Sequence, residues 1–150
     1  MNNLIIVDTR EKGHKSILNY FEQHNIEYIT SKLDYGDYML YKNNSVVIDR
    51  KNNLLELVGN LCHTTSHQRI LREIQRAKDD NVGEFIFLIS ENKIKTIEDI
   101  KNWSSPHTKV HGSTLLKVMA TMSKKYGVKF IVCSKKDMPK KIIEILTKNN

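Results

Sequence analysis

The chain has 150 residues, enough for one domain with a real hydrophobic core. Its 24 Lys and Arg against 17 Asp and Glu leave a net charge of +7 and a pI near 9.4, a balance that points to a polyanionic partner. The two cysteines, Cys62 and Cys133, form no disulfide framework, and no apolar run has membrane length or the build of a signal peptide, so the expectation is a soluble, intracellular (cytoplasmic) protein without a membrane partner.

Leu4-Ile5-Ile6-Val7 reads as a buried strand ending in Asp8, and the following Thr9-Arg10-Glu11 leads through Gly13 into a helix. Ile17, Leu18, Tyr20 and Phe21 form the apolar face of that helix, which ends near His24-Asn25; Ile26 to Thr30 make a second strand. Gly36-Asp37-Tyr38 then enters a short strand. After the polar turn Lys42-Asn43-Asn44-Ser45 comes Val46-Val47-Ile48-Asp49-Arg50-Lys51, an apolar strand that stops in an acid and two cations; together they predict a hairpin.

A three-residue loop, with Asn44 left-handed, pairs Tyr41 with Ser45 and sets Asp37 opposite Asp49 on one face. A symmetric four-residue loop puts the two acids on opposite faces, and only a bulge would reunite them. Opposed carboxylates destabilise a sheet, so the pair marks either a divalent-cation site or a solvated hairpin end. Alternation places Val47, Asp49 and Lys51 on one side, and Val46, Ile48 and Arg50 on the other.

Asn52 or Asn53 caps a helix carrying Leu54, Leu55, Leu57, Val58 and Leu61, in which Glu56 interrupts the apolar run. Cys62 to His67 reads as a loop. Cys62, His63 and His67 lack the spacing and the fourth ligand of a zinc site, and the hydroxyls and imidazoles, His67 included, suit phosphate or sugar contacts. Arg69, Arg72 and Arg76 recur along one helix face, where guanidinium forks match phosphate oxygens; the alternative is pairing with Glu73, Asp79 and Asp80 on a solvated face. Glu84 to Ser90 is a strand covered on both sides. Thr96-Ile97-Glu98-Asp99 starts a short element closed by Trp103, and residues 104–112 form a loop, read as a DNA-facing flap or plain surface. A helix over Ser113 to Tyr126 stops at Gly127, a last strand runs from Val128 to Cys133, and Asp137 caps a closing helix with Pro139 in its first turn. Nine lysines and two acids lie between Lys117 and Lys148, so the C-terminal third is the expected electrostatic footprint. The pattern predicts one α/β domain over residues 1–150, with a mixed sheet of about five or six strands flanked by helices.

Three of these stretches resemble the nuclease domain of the XPF-type structure-specific endonucleases. Val7-Asp8-Thr9-Arg10-Glu11 is similar to the family's Val-Asp-x-Arg-Glu, and Gly36-Asp37 followed by Asp49-Arg50-Lys51 is similar to its Gly-Asp and Glu-Arg-Lys-x-x-x-Asp. They occur in the family's order over the first third of the chain. Two positions depart: Asp49 stands for the leading glutamate, and Leu55 stands where the closing aspartate falls, with Glu56 one place later.

The resemblance implies a restriction-endonuclease-like core and a metal-dependent endonuclease that hydrolyses phosphodiester bonds in branched, flapped or forked DNA. It implies Mg²⁺ or Mn²⁺ held by Asp37, Asp49 and the main-chain carbonyl of Arg50, with Lys51 steadying the attacking water or the charge on phosphorus. Asp8 and Glu11 are expected to ligate at the neighbouring strand end, and Arg10 and Arg50 to meet the phosphate. Relatives commonly work with a second subunit; a chain of this size is similar to small phage or bacterial forms, with a homodimer or a recruited partner expected. The two departures leave open a non-catalytic DNA-binding module of the same fold, and a regulator that targets another protein stands as a third reading.

Overall fold

The computed structural model describes residues 3–11 and 13–148. Six strands form one sheet in the order β2-β1-β3-β4-β5-β6: β1 (Ile5–Asp8), β2 (Tyr28–Ser31), β3 (Tyr38–Leu40), β4 (Asn43–Lys51), β5 (Glu84–Ser90) and β6 (Lys129–Cys133). Only β3 runs antiparallel to its neighbours, so β1, β4, β5 and β6 all finish at one edge of the sheet, where β3 begins. Asp8, Asp37 and Asp49 to Lys51 therefore gather at that edge from three different strands.

Each face of the sheet has its own core. Val47, Phe85, Phe87 and Ile89 pack against α2 (Leu54–Cys62), α3 (Thr64–Asp79) and α4 (Gly112–Tyr126). Val46, Ile48, Ile86 and Leu88 pack against α1 (Lys15–Gln23) and α5 (Met138–Thr147). Coverage on both faces is why β4 and β5 read as nearly continuous apolar runs. Helix ends follow local chemistry: the Asn53 side chain accepts from the Glu56 N–H at 2.8 Å to start α2, and Gly127, at φ +73°, ends α4. Thr96 and Asp99 make a reciprocal capping box at a short 3-10 helix, Ile97–Asn102.

Two expectations need correction. The hairpin turn is tighter than the sequence implies: Leu40 pairs with Asn43, and Lys42, at φ +56°, takes the left-handed position expected of Asn44. Residues 62–67 are not a loop, because α3 starts at Thr64, immediately after the extended His63, and carries His67 within its first turns. That segment contains no Gly or Pro to stop a helix, so the chain turns at one residue and continues helical.

Candidate active site

The register of β3 on β4 decides whether the two acids meet. Beyond the tight turn the ladder shifts, and Tyr38 pairs with Ile48 and Met39 with Val47. Extending that register one residue sets Asp37 opposite Asp49, on the face covered by α2 and α3. The Asp37 N–H donates to the Ile48 carbonyl at 2.7 Å, its carbonyl accepts from the Asp8 N–H at 2.8 Å, and its Oδ2 accepts from the Arg50 N–H at 2.7 Å. Gly36 makes this approach possible: its φ is +70°, and a Cβ there would lie 2.3 Å from Val47 Cγ1. Gly36→Ala is expected to destabilise the chain by about 1–3 kcal/mol through overpacking, read as an earlier urea midpoint.

Asp49 and Lys51 point the same way, as a strand's period of two requires. Lys51 Nζ lies 2.9 Å from Asp49 Oδ1 and donates to Asn60 Oδ1 at 3.1 Å. Both are buried, at 4% and 6% exposure. Burial pushes the Asp49 carboxyl up to about 6 against the pull of Lys51, and Glu73 and Glu56 push the same way as burial. Asp37 is raised well above the usual carboxylate range, first by burial and then by the charge of Asp49, with the Arg50 N–H pulling it down.

The sign of the pH effect follows. A carboxyl raised in the folded state holds its proton there longer than in the unfolded chain, where it titrates at about 3.9. Its favourable contribution is present at acid pH and is lost as pH rises from about 4 through about 6. Without divalent cations, the wild type is expected to lose stability relative to Asp37→Asn as pH rises above the unfolded value of about 3.9, because the folded site holds the Asp37 proton longer than the unfolded chain does, in urea titrations at successive pH values. Parallel pH profiles would show that Asp37 ionises freely.

A cleft of about 610 Å³ opens over this edge, lined by Asp8, Arg10, Glu11, Asp37, Asp49, Arg50, Lys51, Asn60, Glu56, Arg69, Glu73 and Arg76 among others. The structure thus brings most of the expected residues to one place, but their engagements differ. Arg50 points to the α1 side, where Nη2 and Nε meet Glu11 Oε1 and Oε2 at 2.7 and 3.2 Å, and the Tyr38 hydroxyl donates to Glu11 Oε2 at 2.6 Å. The Arg50 side chain is turned into the protein rather than toward solvent, so the exposed phosphate fork expected of it is not what the fold presents. Asp8 accepts from the Leu33 N–H at 3.1 Å and pairs with Arg10, whose Nη2 donates to the Leu33 carbonyl at 2.7 Å.

On α3, Arg69 and Arg76 reach the cleft, whereas Arg72 and His67 are not among its lining residues. Among the described residues, none of the three arginines makes an ion pair with Glu73, Asp79 or Asp80. Leu55 faces a different groove, beside Pro106 and His107, while Glu56 lines the cleft and its Oε2 accepts from Asn52 Nδ2 at 3.0 Å. Sequence reasoning missed Asn60 and Glu73 as cleft residues. Asn60 could have been found one helical turn after Glu56, on the same face.

Among the described residues, no three His, Cys, Asp or Glu side chains are gathered tightly enough to grip an ion on their own. The donors nevertheless suit a hard cation. Asp37 and Asp49 share a face, the charge of Asp49 opposes the ionisation of Asp37, Glu73 lines the same cleft, and a divalent ion offsets such repulsion with oxygen ligands.

The family model of the ERCC4 domain matches residues 7–146. No curated protein matches the chain. Similar solved structures include XPF from Aeropyrum pernix, with TM-score 0.67 and 16% identity over 97% of this chain and 60% of that one. XPF from Aeropyrum pernix in complex with DNA is similar with TM-score 0.69 and 16% identity, over 98% of this chain and 64% of that one. The chain therefore spans less than two thirds of the length of these structures. No helix among the described residues is long and apolar enough to cross a membrane.

Proposed function

The chain belongs to the ERCC4-domain family and has the restriction-endonuclease-like α/β fold, and from that premise we propose that it is a Mg²⁺- or Mn²⁺-dependent DNA endonuclease acting at flaps, forks or branches. One observation carries the reading: Asp37 and Asp49, from opposed strands, share a buried face beside Lys51.

Asp37, Asp49 and the main-chain carbonyl of Arg50 would hold the ion. When bound, it polarises the scissile phosphate and lowers the pKa of a neighbouring water. Lys51, fixed by Asp49 and Asn60, keeps an ammonium group where negative charge builds on phosphorus. Glu11 fixes the Arg50 side chain behind the strand, and Asp8 with Arg10 orders the loop at Leu33. Arg69 and Arg76, exposed at the cleft mouth, meet DNA phosphates, and Arg10, Arg72 and His67 extend that contact on either side. Lys135 and Lys136 follow β6 onto the same edge of the sheet, which lengthens the cationic track. A track of phosphate contacts without a base-reading element selects DNA shape rather than sequence.

Labelled forked, flapped and linear duplexes, incubated with the purified chain and Mn²⁺, Mg²⁺ or EDTA, test this. Cutting of the branched forms that EDTA stops supports the enzyme. Intact DNA, bound tightly with steep salt dependence, supports instead the non-catalytic module that the departures at Asp49 and Leu55 favour.

A further inference from the structure

The spacing of α3 offers Glu73 as a counter-charge to Arg69, four residues before it, and Arg76, three after it. Among the described residues neither arginine pairs with it. Its Oε1 instead accepts the Gly36 N–H at 2.6 Å. One turn later Arg76 Nε donates to the Asp34 carbonyl at 2.8 Å, and at the helix end Asp80 accepts from the Tyr35 hydroxyl at 3.0 Å. Positions 73, 76 and 80 share one helix face, and their targets are consecutive residues. The helix thus clasps the segment that delivers Asp37. Glu73 also lines the cleft with Asp37 and Asp49.

Resting on the nuclease reading above, we propose that Glu73 is a third acid of the site: one carboxylate oxygen positions Gly36 and hence Asp37, and its charge adds to the hold on the divalent cation. It reaches the cleft from α3, on the side of Gly36, while α2 brings Glu56 to the same cleft and turns Leu55 into the groove beside Pro106 and His107.

Glu73→Gln separates the two roles, because the amide oxygen can still accept from Gly36 while the charge is gone. Mn²⁺ titrated calorimetrically into the full chain is expected to bind Glu73→Gln about 10- to 100-fold more weakly than wild type, at an unchanged melting temperature. Excess Mn²⁺ is expected to recover its cleavage of forked DNA. Glu73→Asp keeps the charge but falls short of Gly36; it is expected to melt lower and to bind Mn²⁺ more tightly than Glu73→Gln. Wild-type Mn²⁺ affinity in Glu73→Gln, or the reverse order of the two variants, overturns the role of Glu73 and leaves the nuclease reading standing. A wild-type chain that neither binds Mn²⁺ nor cuts DNA overturns both.

Discussion

Asp37→Asn is expected to abolish cleavage of forked DNA while leaving the folded chain at least as stable as wild type. The amide keeps an oxygen that accepts the Arg50 N–H, bonded at 2.7 Å in the native site, and it has nearly the same shape. What disappears is a half-buried charge that faces Asp49 and that desolvation already disfavours. Activity should fall by about 10²–10³-fold or more, the scale of losing one group that stabilises transition-state charge. Stability should rise by about 0.5–2 kcal/mol, as at other sites where function keeps an unfavourable group in place. Asp49→Asn should be as inactive but less stable, because Lys51 would stay buried without the carboxylate 2.9 Å away. Cleavage rates and thermal melts of the two variants check this opposition. An Asp37→Asn protein that melts well below wild type would mean that the Asp37 charge supports the fold.

Periodicity reached the faces of the strands but not the partners across them. Strict alternation along Val46 to Lys51 separates Asp49 and Lys51 from Arg50, and the structure keeps that division because a strand has no other way to place its side chains. The register near the site also agrees with the three-residue-loop reading, though the route differs. A turn centred on Tyr41 and Lys42 closes early, and a shift between Met39 and Leu40 absorbs the surplus residues of β4. Burial of Tyr38, Val47 and Ile48 sets register more firmly than turn chemistry does. The start of α3 was illegible for a local reason: His63 precedes it without a side-chain cap, so no Ser, Thr, Asp or Asn signals the boundary. Glu73 was illegible for a distant one. Its partner Gly36 lies 37 residues away, and no helical period encodes a bond of that span.

Arg50→Ala is expected to cost more stability than any single change in the cleft, about 3–5 kcal/mol. Arg50 and Glu11 are 8% and 7% exposed and joined by two bonds, while Tyr38, fully buried, supplies a third donor to the same carboxylate. Burial alone would lower the Arg50 pKa, but Glu11 raises it overall, so the guanidinium stays charged and the pair acts as one unit. Truncating the arginine strands the Glu11 charge beside β1 and β3 where, among the described residues, the Tyr38 hydroxyl alone still donates to it. At about 2–4 °C per kcal/mol for a chain of this size, the melting temperature should fall by about 10 °C. Tyr38→Phe should cost less, about 1.5–3 kcal/mol for one bond to a charged acceptor. The double variant Glu11→Gln with Arg50→Met should recover part of the loss, because both buried charges leave together. The salt dependence of DNA binding should not change in Arg50→Ala, since a buried guanidinium releases no counterions from DNA. A variant that melts as wild type but binds DNA with a shallower salt slope would place Arg50 on the phosphate backbone and leave Glu11 as the residue that merely holds it there.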